Sequence, residues 1–328
     1  MRVTIRGAGI IGLSCADELL RRGHDVTVVD PTPLSGATWA AAGMLTPAAE
    51  VWHGEEALLE LGIRSLELWS EYAGRLGVEL HRGGTLLTGV DAGDQQQVRR
   101  QAQLLSDLGR PAQEPDRRTL RSLEPTLSTR VGSAVWLPSD PSVDPRAVAS
   151  ALLTRVPVVA EAPDGEVNVL ATGARLPPPF TRLVRGVRGE IVRARTDDPP
   201  GRVVRGWVRG RPTYVVPRAD GEVVIGATSE EHDAAATATL GGVARLLVDA
   251  AELVPGLATA EFVEALARDR PGTADNLPLV GPTDQPGVLL AAGHFRHGVL
   301  LAPLTAQLIA DHIETGAVDP ALDPRRMT

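Results

Sequence analysis

The first thirty residues constrain the fold more than any other part of the chain. An apolar strand at residues 3–5 is followed by the pattern G-x-G-x-x-G, a helical segment at 11–22 and a second apolar strand that ends in Asp30. In this order the helix N-terminus presents unpaired N–H groups and a positive dipole end to a pyrophosphate. The stretch therefore predicts a βαβ unit that binds a dinucleotide, in preference to an ordinary glycine turn between strand and helix.

The three glycines and the terminal acid each have a physical task in such a unit. Gly7 permits the tight turn, Gly9 lets the backbone approach the pyrophosphate, and Gly12 lets the helix lie close to the strand. Asp30 is expected to accept hydrogen bonds from both ribose hydroxyls. An acid at this position favours a ribose without a 2′-phosphate, so NAD or FAD is expected and NADP is not.

Composition and charge narrow the class of protein. A length of 328 residues predicts about two domains, and a net charge of −8 argues against nucleic acid or an anionic membrane as partner. All 33 basic residues are arginine, which excludes a lysine Schiff base and a P-loop lysine. The chain has a single cysteine, Cys15, no long apolar run, and a first strand almost at its N-terminus. We therefore expect a cytoplasmic protein without disulfide, membrane span or signal peptide.

The stretch "GATWAAAGMLTPAAE" at residues 36–50 separates NAD from FAD. An NAD-binding domain would continue with further βα units, whereas this stretch is a loop of very small residues. Such residues let the backbone approach a large flat ligand, and this favours FAD. The alternative interpretation is the start of an alanine-rich helix.

The stretch "GHFRHG" places Arg296 between His294 and His297 just before an apolar run. The two histidines could bind a metal from one helical face, but no further cluster of ligands supports this, and structural histidines are the default interpretation. An arginine is better explained by an anion, because its planar fork matches the two oxygens of a carboxylate. Arg296 is therefore expected to face an anion-binding pocket, with a salt bridge in a loop as the alternative.

Five stretches in the same order resemble one family. They are "GAGIIGLSCADELLRRGHDVTVVD", "SGATWAAAGMLTPAAE", "RPTYVVPRADGEVVIGAT", "DRPGTADNLPLVGP" and "GHFRHGVLLAP". Together they resemble the FAD-dependent amine and D-amino acid oxidases, most of all the glycine oxidase branch of the ThiO type. The resemblance implies an α/β fold with a Rossmann-like FAD-binding domain and an inserted antiparallel-sheet substrate domain. It assigns 1–80, 131–180 and 271–328 to the first domain, and 81–130 and 181–270 to the second.

The resemblance also implies an activity and a set of site residues. It implies oxidation of glycine or another small amino acid with O2 as the acceptor, non-covalent FAD, and a possible homo-oligomer. Arg270 would bind the substrate carboxylate, Tyr214 would add a phenol hydrogen bond, and Arg296 would lie at or beside the same site. Arg270 as a surface ion pair and Tyr214 as a strand aromatic are the alternatives. The implied FAD-binding residues are Gly7, Gly9, Ile10, Ile11, Gly12, Asp30, Thr38, Ala41, Ala42, Gly43, Met44, Val159, Thr172, Gly173, Gly293, His294, Arg296, His297, Gly298, Val299 and Leu300.

Two departures from the family concern the ligand contacts. His297 stands where asparagine is common and adds a titratable group. The segment 155–168 replaces a longer β-meander, which puts the contacts on the adenine side in question. Three other functions therefore stay open: a flavin oxidase or dehydrogenase of another amine, an NAD-dependent dehydrogenase, and a non-catalytic flavin-binding partner subunit.

The rest of the chain predicts helices at 55–77, 93–109, 145–155 and 239–254, strands at 83–89 and 167–174, and a hairpin turn at 218–221.

Overall fold

The computed structural model describes residues 1–110, 112–231 and 235–327. Its strands are β1 (Arg2–Arg6), β2 (Asp25–Val29), β3 (Leu80–His81), β4 (Thr85–Gly89), β5 (Ala134–Leu137), β6 (Ser142–Val143), β7 (Val158–Val159), β8 (Val167–Leu170), β9 (Arg185–Arg195), β10 (Val203–Val208), β11 (Arg211–Pro217), β12 (Glu222–Gly226), β13 (Glu261–Gly272), β14 (Leu279–Pro282) and β15 (Val288–Ala292). Its helices are α1 (Ile10–Arg21), α2 (Pro47–Glu50), α3 (Glu56–Leu76), α4 (Ala92–Asp107), α5 (Arg117–Leu123), α6 (Pro145–Leu153), α7 (Leu240–Leu253) and α8 (Gly298–Thr315).

The first large sheet has six strands in the order β14-β15-β8-β1-β2-β7. The central strand β1 pairs in parallel with β2 and with β8, so the carboxyl ends of these strands meet at one edge. Side chains of α1, α3, α6 and α8 form the main apolar core with one face of this sheet. This is the dinucleotide-binding arrangement that the first thirty residues predict, with α1 directly after β1.

The other face of β1 carries polar side chains that meet the short connection between β7 and β8. The Thr4 hydroxyl donates to the Pro163 carbonyl at 3.2 Å, and Arg6 donates to the Asp164 carboxylate at 2.6 Å. A Cβ on Gly165 would lie 2.6 Å from the Arg2 carbonyl oxygen, so the connection runs against the strand. Arg6, which is unusual before a glycine motif, thus has a partner in this connection.

The second large sheet has seven strands in the order β13-β9-β12-β11-β10-β4-β5. One of its faces packs against α7, and the opposite face packs against residues 40–44 of the first domain. The hairpin β10–β11 sets Arg205 opposite Tyr214, and the hairpin β11–β12 sets Tyr214 opposite Gly226. Directly opposed residues share a face, so this row of side chains faces residues 40–44.

The predicted fold class is confirmed, whereas the predicted domain boundaries stay a prediction. The strand β5 lies in the stretch 131–180, which the resemblance assigns to the first domain. It pairs with β4 through Thr85 and Leu137 and so forms part of the seven-stranded sheet. The predicted helices correspond to α3, α4, α6 and α7, and the hairpin turn at 218–221 joins β11 to β12. Across the three described ranges, no helix is both long and apolar enough to cross a bilayer.

Candidate active site

The carboxylate of Asp30 anchors the turn at the edge of the six-stranded sheet. Asp30 Oδ2 accepts the Ala8 N–H at 2.7 Å, and Oδ1 accepts the Thr32 N–H at 2.8 Å. The Thr38 hydroxyl accepts the Ile10 N–H at 3.0 Å, at the first turn of α1. A carboxylate has four lone-pair sites, so Asp30 keeps capacity for hydroxyl donors of a ligand.

Two glycines allow this turn to form. Gly7 has a φ of 111°, and a Cβ there would lie 2.3 Å from the Ala171 carbonyl oxygen. A Cβ on Gly12 would lie 1.9 Å from the carbonyl oxygen of Gly7. Any larger residue would therefore separate α1 from β1 and β8, as the glycine pattern predicts.

The loop of small residues is held from both domains. Gly43 has a φ of 74°, and its carbonyl accepts the Val143 N–H at 2.9 Å. Arg218, from the hairpin of the second sheet, donates to the Ala42 carbonyl at 2.6 Å. The loop is thus fixed between β6 and the second sheet, and its small side chains leave space beside it.

The segment "GHFRHG" is fixed in the same way. The Phe295 N–H donates to the Pro271 carbonyl at 2.8 Å, which joins this segment to the end of β13. The Leu300 carbonyl accepts hydrogen bonds from Trp69 Nε1 at 2.8 Å and from the Ser65 hydroxyl at 2.6 Å, both on α3. The N-terminus of α8 therefore has a fixed direction.

The two histidines of this segment are buried and differ in their partners. His294 Nε2 shares a 2.9 Å hydrogen bond with the Thr305 hydroxyl, and burial lowers the pKa of His294 to about 3. His297 Nε2 has no hydrogen-bond partner within the described residues. Burial lowers the pKa of His297 to about 4, although the negative charge of Glu50 opposes the shift. His294 is thus a satisfied structural histidine, and both rings are neutral near pH 7.

Tyr214 and Arg270 lie over two glycines of the second sheet. A Cβ on Gly226 would lie 2.2 Å from the Tyr214 hydroxyl, and a Cβ on Gly189 would lie 2.2 Å from both terminal nitrogens of Arg270. Arg270 Nη1 donates to the Thr228 carbonyl at 3.2 Å. Burial raises the pKa of Tyr214 and lowers that of Arg270. A phenol and a guanidinium with further free donors therefore stand side by side.

A buried carboxylate, Glu50, stands beside these two residues. Arg205 Nη1 lies 2.6 Å from Glu50 Oε1, and Arg296 Nε lies 3.6 Å from Glu50 Oε2. Burial acts to raise the pKa of Glu50, but Arg205, Arg296 and other positive neighbours outweigh it and hold that pKa below its usual value. Arg296 thus forms the ion pair that was the alternative interpretation, and it also faces the cavity. Sequence reasoning missed Glu50 and Arg205 as site residues.

One cavity of about 1540 Å³ joins these parts, from Asp30 through the loop of small residues to Tyr214 and Arg270. The candidate residues that line it are Gly7, Gly9, Ile10, Ile11, Asp30, Thr38, Ala41, Ala42, Gly43, Met44, Thr172, Gly173, Tyr214, Arg270, His294, Arg296, His297, Gly298, Val299 and Leu300. Gly12, Val159 and Gly293 support the wall from behind. Val159 accepts the Asp30 N–H at 2.9 Å, and a Cβ on Gly293 would lie 2.4 Å from the Thr273 methyl carbon.

The cavity begins at a sheet edge of the dinucleotide-binding type, and its wall carries Arg270 and Tyr214. This arrangement defines a two-domain oxidoreductase of the flavin-binding class. The comparisons agree, and the chain belongs to the DAO family of FAD dependent oxidoreductases, which matches residues 2–158 and 154–312.

Relatives of this chain carry two kinds of name. The chain is 33% identical to the putative thiamine biosynthesis oxidoreductase ThiO of Rhizobium etli, over 98% of both chains. It is also 33% identical to the bifunctional protein ThiO/ThiG of Nostoc sp., over 98% of this chain and 54% of the relative. This chain therefore spans about half the length of that protein. The crystal structure of glycine oxidase from Geobacillus kaustophilus superimposes with a TM-score of 0.86 at 28% identity, over 100% of this chain and 98% of the other.

The residues present fit the FAD that this family uses. The first turn of α1 contains no acidic residue, so its N–H groups and dipole face the cavity without a competing charge. A Cβ on Gly9 would take up space beside Thr38, 3.4 Å from its hydroxyl. On the adenine side the short connection still contributes Ala160, Glu161 and Ala162 to the lining. The edge of the six-stranded sheet therefore fits a dinucleotide.

Proposed function

We propose that this chain is an FAD-dependent oxidase that deaminates glycine or a similarly small amino acid. The observation that carries the proposal is the pair Arg270 and Tyr214 on the wall of the cavity that begins at Asp30. A guanidinium is suited to binding a carboxylate with two parallel hydrogen bonds, and the phenol supplies a third donor. The relatives named glycine oxidase and putative thiamine biosynthesis oxidoreductase ThiO support a small amino acid as substrate and a role in thiamine biosynthesis.

When bound, FAD would supply the two-electron acceptor: it would take up the Cα hydride at N5 as the amine lone pair forms C=N, and O2 would take the two electrons and two protons to leave as H2O2. The protein supplies position. Binding of the carboxylate by Arg270 would fix the orientation of the Cα–H bond, and the imine product would be hydrolysed or passed to thiazole synthesis. No side-chain base is required once the amine is neutral.

One further group is assigned to the flavin ring, and the state of Cys15 bears on how FAD is held. The N-terminus of α8, at Gly298, carries the positive end of the helix dipole and would stabilise negative charge on the reduced pyrimidine. Cys15 is fully buried on α1, and burial raises its pKa to about 12, which favours non-covalent FAD over a thioether. A single buried thiol also supports the reducing cytoplasm as the location.

A second candidate is oxidation of a larger amine. The cavity continues past Tyr214 to Ser229 and to Arg245, Leu246 and Asp249 of α7. This space exceeds what the two carbons of glycine require, and it would accept a longer side chain or an N-substituent.

The test is anaerobic addition of glycine, sarcosine, D-alanine and L-proline to the purified yellow protein. Bleaching of the flavin absorbance by glycine at the lowest concentration supports glycine as substrate, and preference for another amine selects the second candidate. Arg270→Met should raise the half-saturating concentration of every substrate about 100-fold, because a buried charge loses its partner. Arg195→Met is the matched control, since Arg195 is exposed on β9 and pairs with Asp220. A flavin that none of the four amines reduces would refute both candidates.

A further inference from the structure

The ion pair between Glu50 and Arg205 is buried in the cavity wall. Glu50 ends α2 and Arg205 lies in the middle of β10, with side chains that are 10% and 12% exposed. Both line the cavity, and their contact of 2.6 Å uses Glu50 Oε1. An arginine exposed on a strand needs no ion-pair partner, because water solvates its charge. The fold instead brings Arg205 against Glu50 in the wall of the cavity.

The other oxygen of Glu50 lacks a hydrogen-bond donor. Glu50 Oε2 is buried and accepts no hydrogen bond from any residue that the structure describes. The Arg296 Nε, at 3.6 Å, is beyond hydrogen-bond distance. Leaving a buried charged acceptor without a donor is costly. Glu50 lines the ligand cavity, so an N–H or O–H donor on a ligand would satisfy this buried oxygen.

The position of Glu50 matches the second polar group of an amino acid. Its partner Arg205 is directly opposite Tyr214 across β10 and β11, and adjacent strands lie about 5 Å apart. Arg270 belongs to β13 and extends over Gly189 of β9, so it approaches Tyr214 on the same face but from the opposite side of β11. Tyr214 therefore stands between a guanidinium that can bind a carboxylate and a carboxylate that can bind an amine.

We infer that Glu50 binds the amino group of the substrate through Oε2, and that Arg205 is a positioning residue that holds Glu50 for this contact. The inference rests on the proposed oxidation of an amino acid, whose carboxylate would lie on Arg270. The ligand class is a primary or secondary α-amine with at least one N–H.

Arg205 also decides which protonation state of the amine the site favours. An isolated carboxylate would bind the ammonium form strongly, and that form has no lone pair with which to make C=N. Positive neighbours reduce the negative potential at Glu50, so it accepts an N–H hydrogen bond without a strong preference for ammonium. The titratable and charged groups that face Glu50 are Arg205 on β10, Tyr214 on β11, Arg270 on β13, Arg296 and His297 before α8, and Asp140 after β5.

The experiment compares an amine ligand with a ligand that lacks the amine. Dissociation constants of glycine are measured by rapid anaerobic mixing, and those of acetate by the shift of the flavin absorbance. Glu50→Gln should raise the dissociation constant of glycine about tenfold, because one hydrogen bond to a charged group is lost. The dissociation constant of acetate should change less than about twofold. Equal changes for glycine and acetate would overturn the inference, because Glu50 would then act on the whole site.

The pH dependence of the limiting reduction rate tests Arg205. The rate falls at low pH as the bound amine takes up a proton. Arg205→Met should move this fall upward by about one pH unit, and Glu50→Gln should move it downward by a similar amount. Arg205→Lys should restore most of the wild-type profile, and Arg195→Met should leave the profile unchanged. A profile that Arg205→Met does not move would overturn the positioning role.

Folding is checked by FAD content and thermal unfolding. If Glu50→Gln alone does not fold, the double variant Glu50→Gln/Arg205→Met removes both charges together, and it should show the same selective loss of glycine over acetate. A wild-type flavin that no amino acid reduces would refute the proposed function and this inference together. If amino acids reduce the wild-type flavin but Glu50→Gln changes glycine and acetate binding equally, the inference alone is refuted.

Discussion

The glycine beneath Arg270 gives a direct test of the site geometry. A Cβ on Gly189 would lie 2.2 Å from both terminal guanidinium nitrogens, whereas ordinary contacts lie at 3.4–4 Å. In Gly189→Ala the guanidinium must therefore retreat by roughly 1 Å or more, which would break its paired hydrogen bonds to the substrate carboxylate. We expect kcat/KM for glycine to fall about 100-fold, which corresponds to about 2.7 kcal/mol of transition-state binding.

The assay follows peroxide or oxygen with glycine as substrate, together with the acetate dissociation constant. Most of the loss should appear as a higher KM and weaker acetate binding, because Arg270 would hold the carboxylate equally in the ground and transition states. FAD content should stay the same, since Gly189 lies on β9 of the seven-stranded sheet and not on the βαβ unit that carries Asp30. Gly132→Ala is the matched control, because a Cβ there has nothing within 4 Å.

A double-mutant cycle separates the guanidinium from a general distortion of β9. In the Arg270→Met background, Gly189→Ala should change acetate binding by less than about twofold, since the group that it displaces is gone. Additive effects of the two substitutions would refute the reasoning, and so would a Gly189→Ala protein that binds acetate as tightly as the wild type.

Three further outcomes follow from buried groups. Asp30→Ala should weaken FAD binding at least about tenfold, measured by reconstitution of the apoprotein. Asp25→Ala is the control, because Asp25 is exposed and should not affect this affinity. Equal FAD affinities of the two variants would show that Asp30 does not bind the cofactor. Cys15 should react with a thiol reagent only as fast as the protein unfolds, and rapid labelling of native protein would contradict its burial. Because burial lowers the pKa of His294 to about 3, the folded state keeps this ring neutral while the unfolded chain takes a proton below about pH 6.5. Its contribution to stability is therefore full above pH 6.5 and is lost toward pH 3, so His294→Gln should reduce the slope of the unfolding free energy in this window.

The dinucleotide end of the site could be predicted from local sequence. A turn between β1 and α1 needs glycines at fixed spacing, and a ribose contact needs an acid at the end of β2, so Gly7, Gly12 and Asp30 follow from adjacent residues. Tyr214 and Arg270 depended on resemblance, because each lies on a strand whose neighbours are distant in sequence. The functional assignment of these two residues stays a prediction that the variants above test.

Glu50 and Arg205 could not be found in the same way. An acid at the end of a short helix usually faces solvent, and an arginine on an alternating strand usually does so too. Their pairing joins residues from two domains, and no local pattern encodes that contact. The strand β13 was missed for a related reason, since its alternation of charged and apolar residues is weak and its partner β9 lies far away in the chain.

The turn between β10 and β11 fixes one part of this arrangement, the position of Arg205 opposite Tyr214. Arg209 and Gly210 have φ values of 53° and 76°, which is typical of a two-residue type I′ turn, and such a turn pairs Val208 with Arg211. Once that pair is fixed, Arg205 must oppose Tyr214 and share its face, and a slip by one residue would turn Arg205 away from Glu50. Asp94 of α4 accepts the N–H groups of both turn residues, at 2.9 and 2.7 Å, so a carboxylate outside the cavity fixes the register on which the Glu50 contact depends.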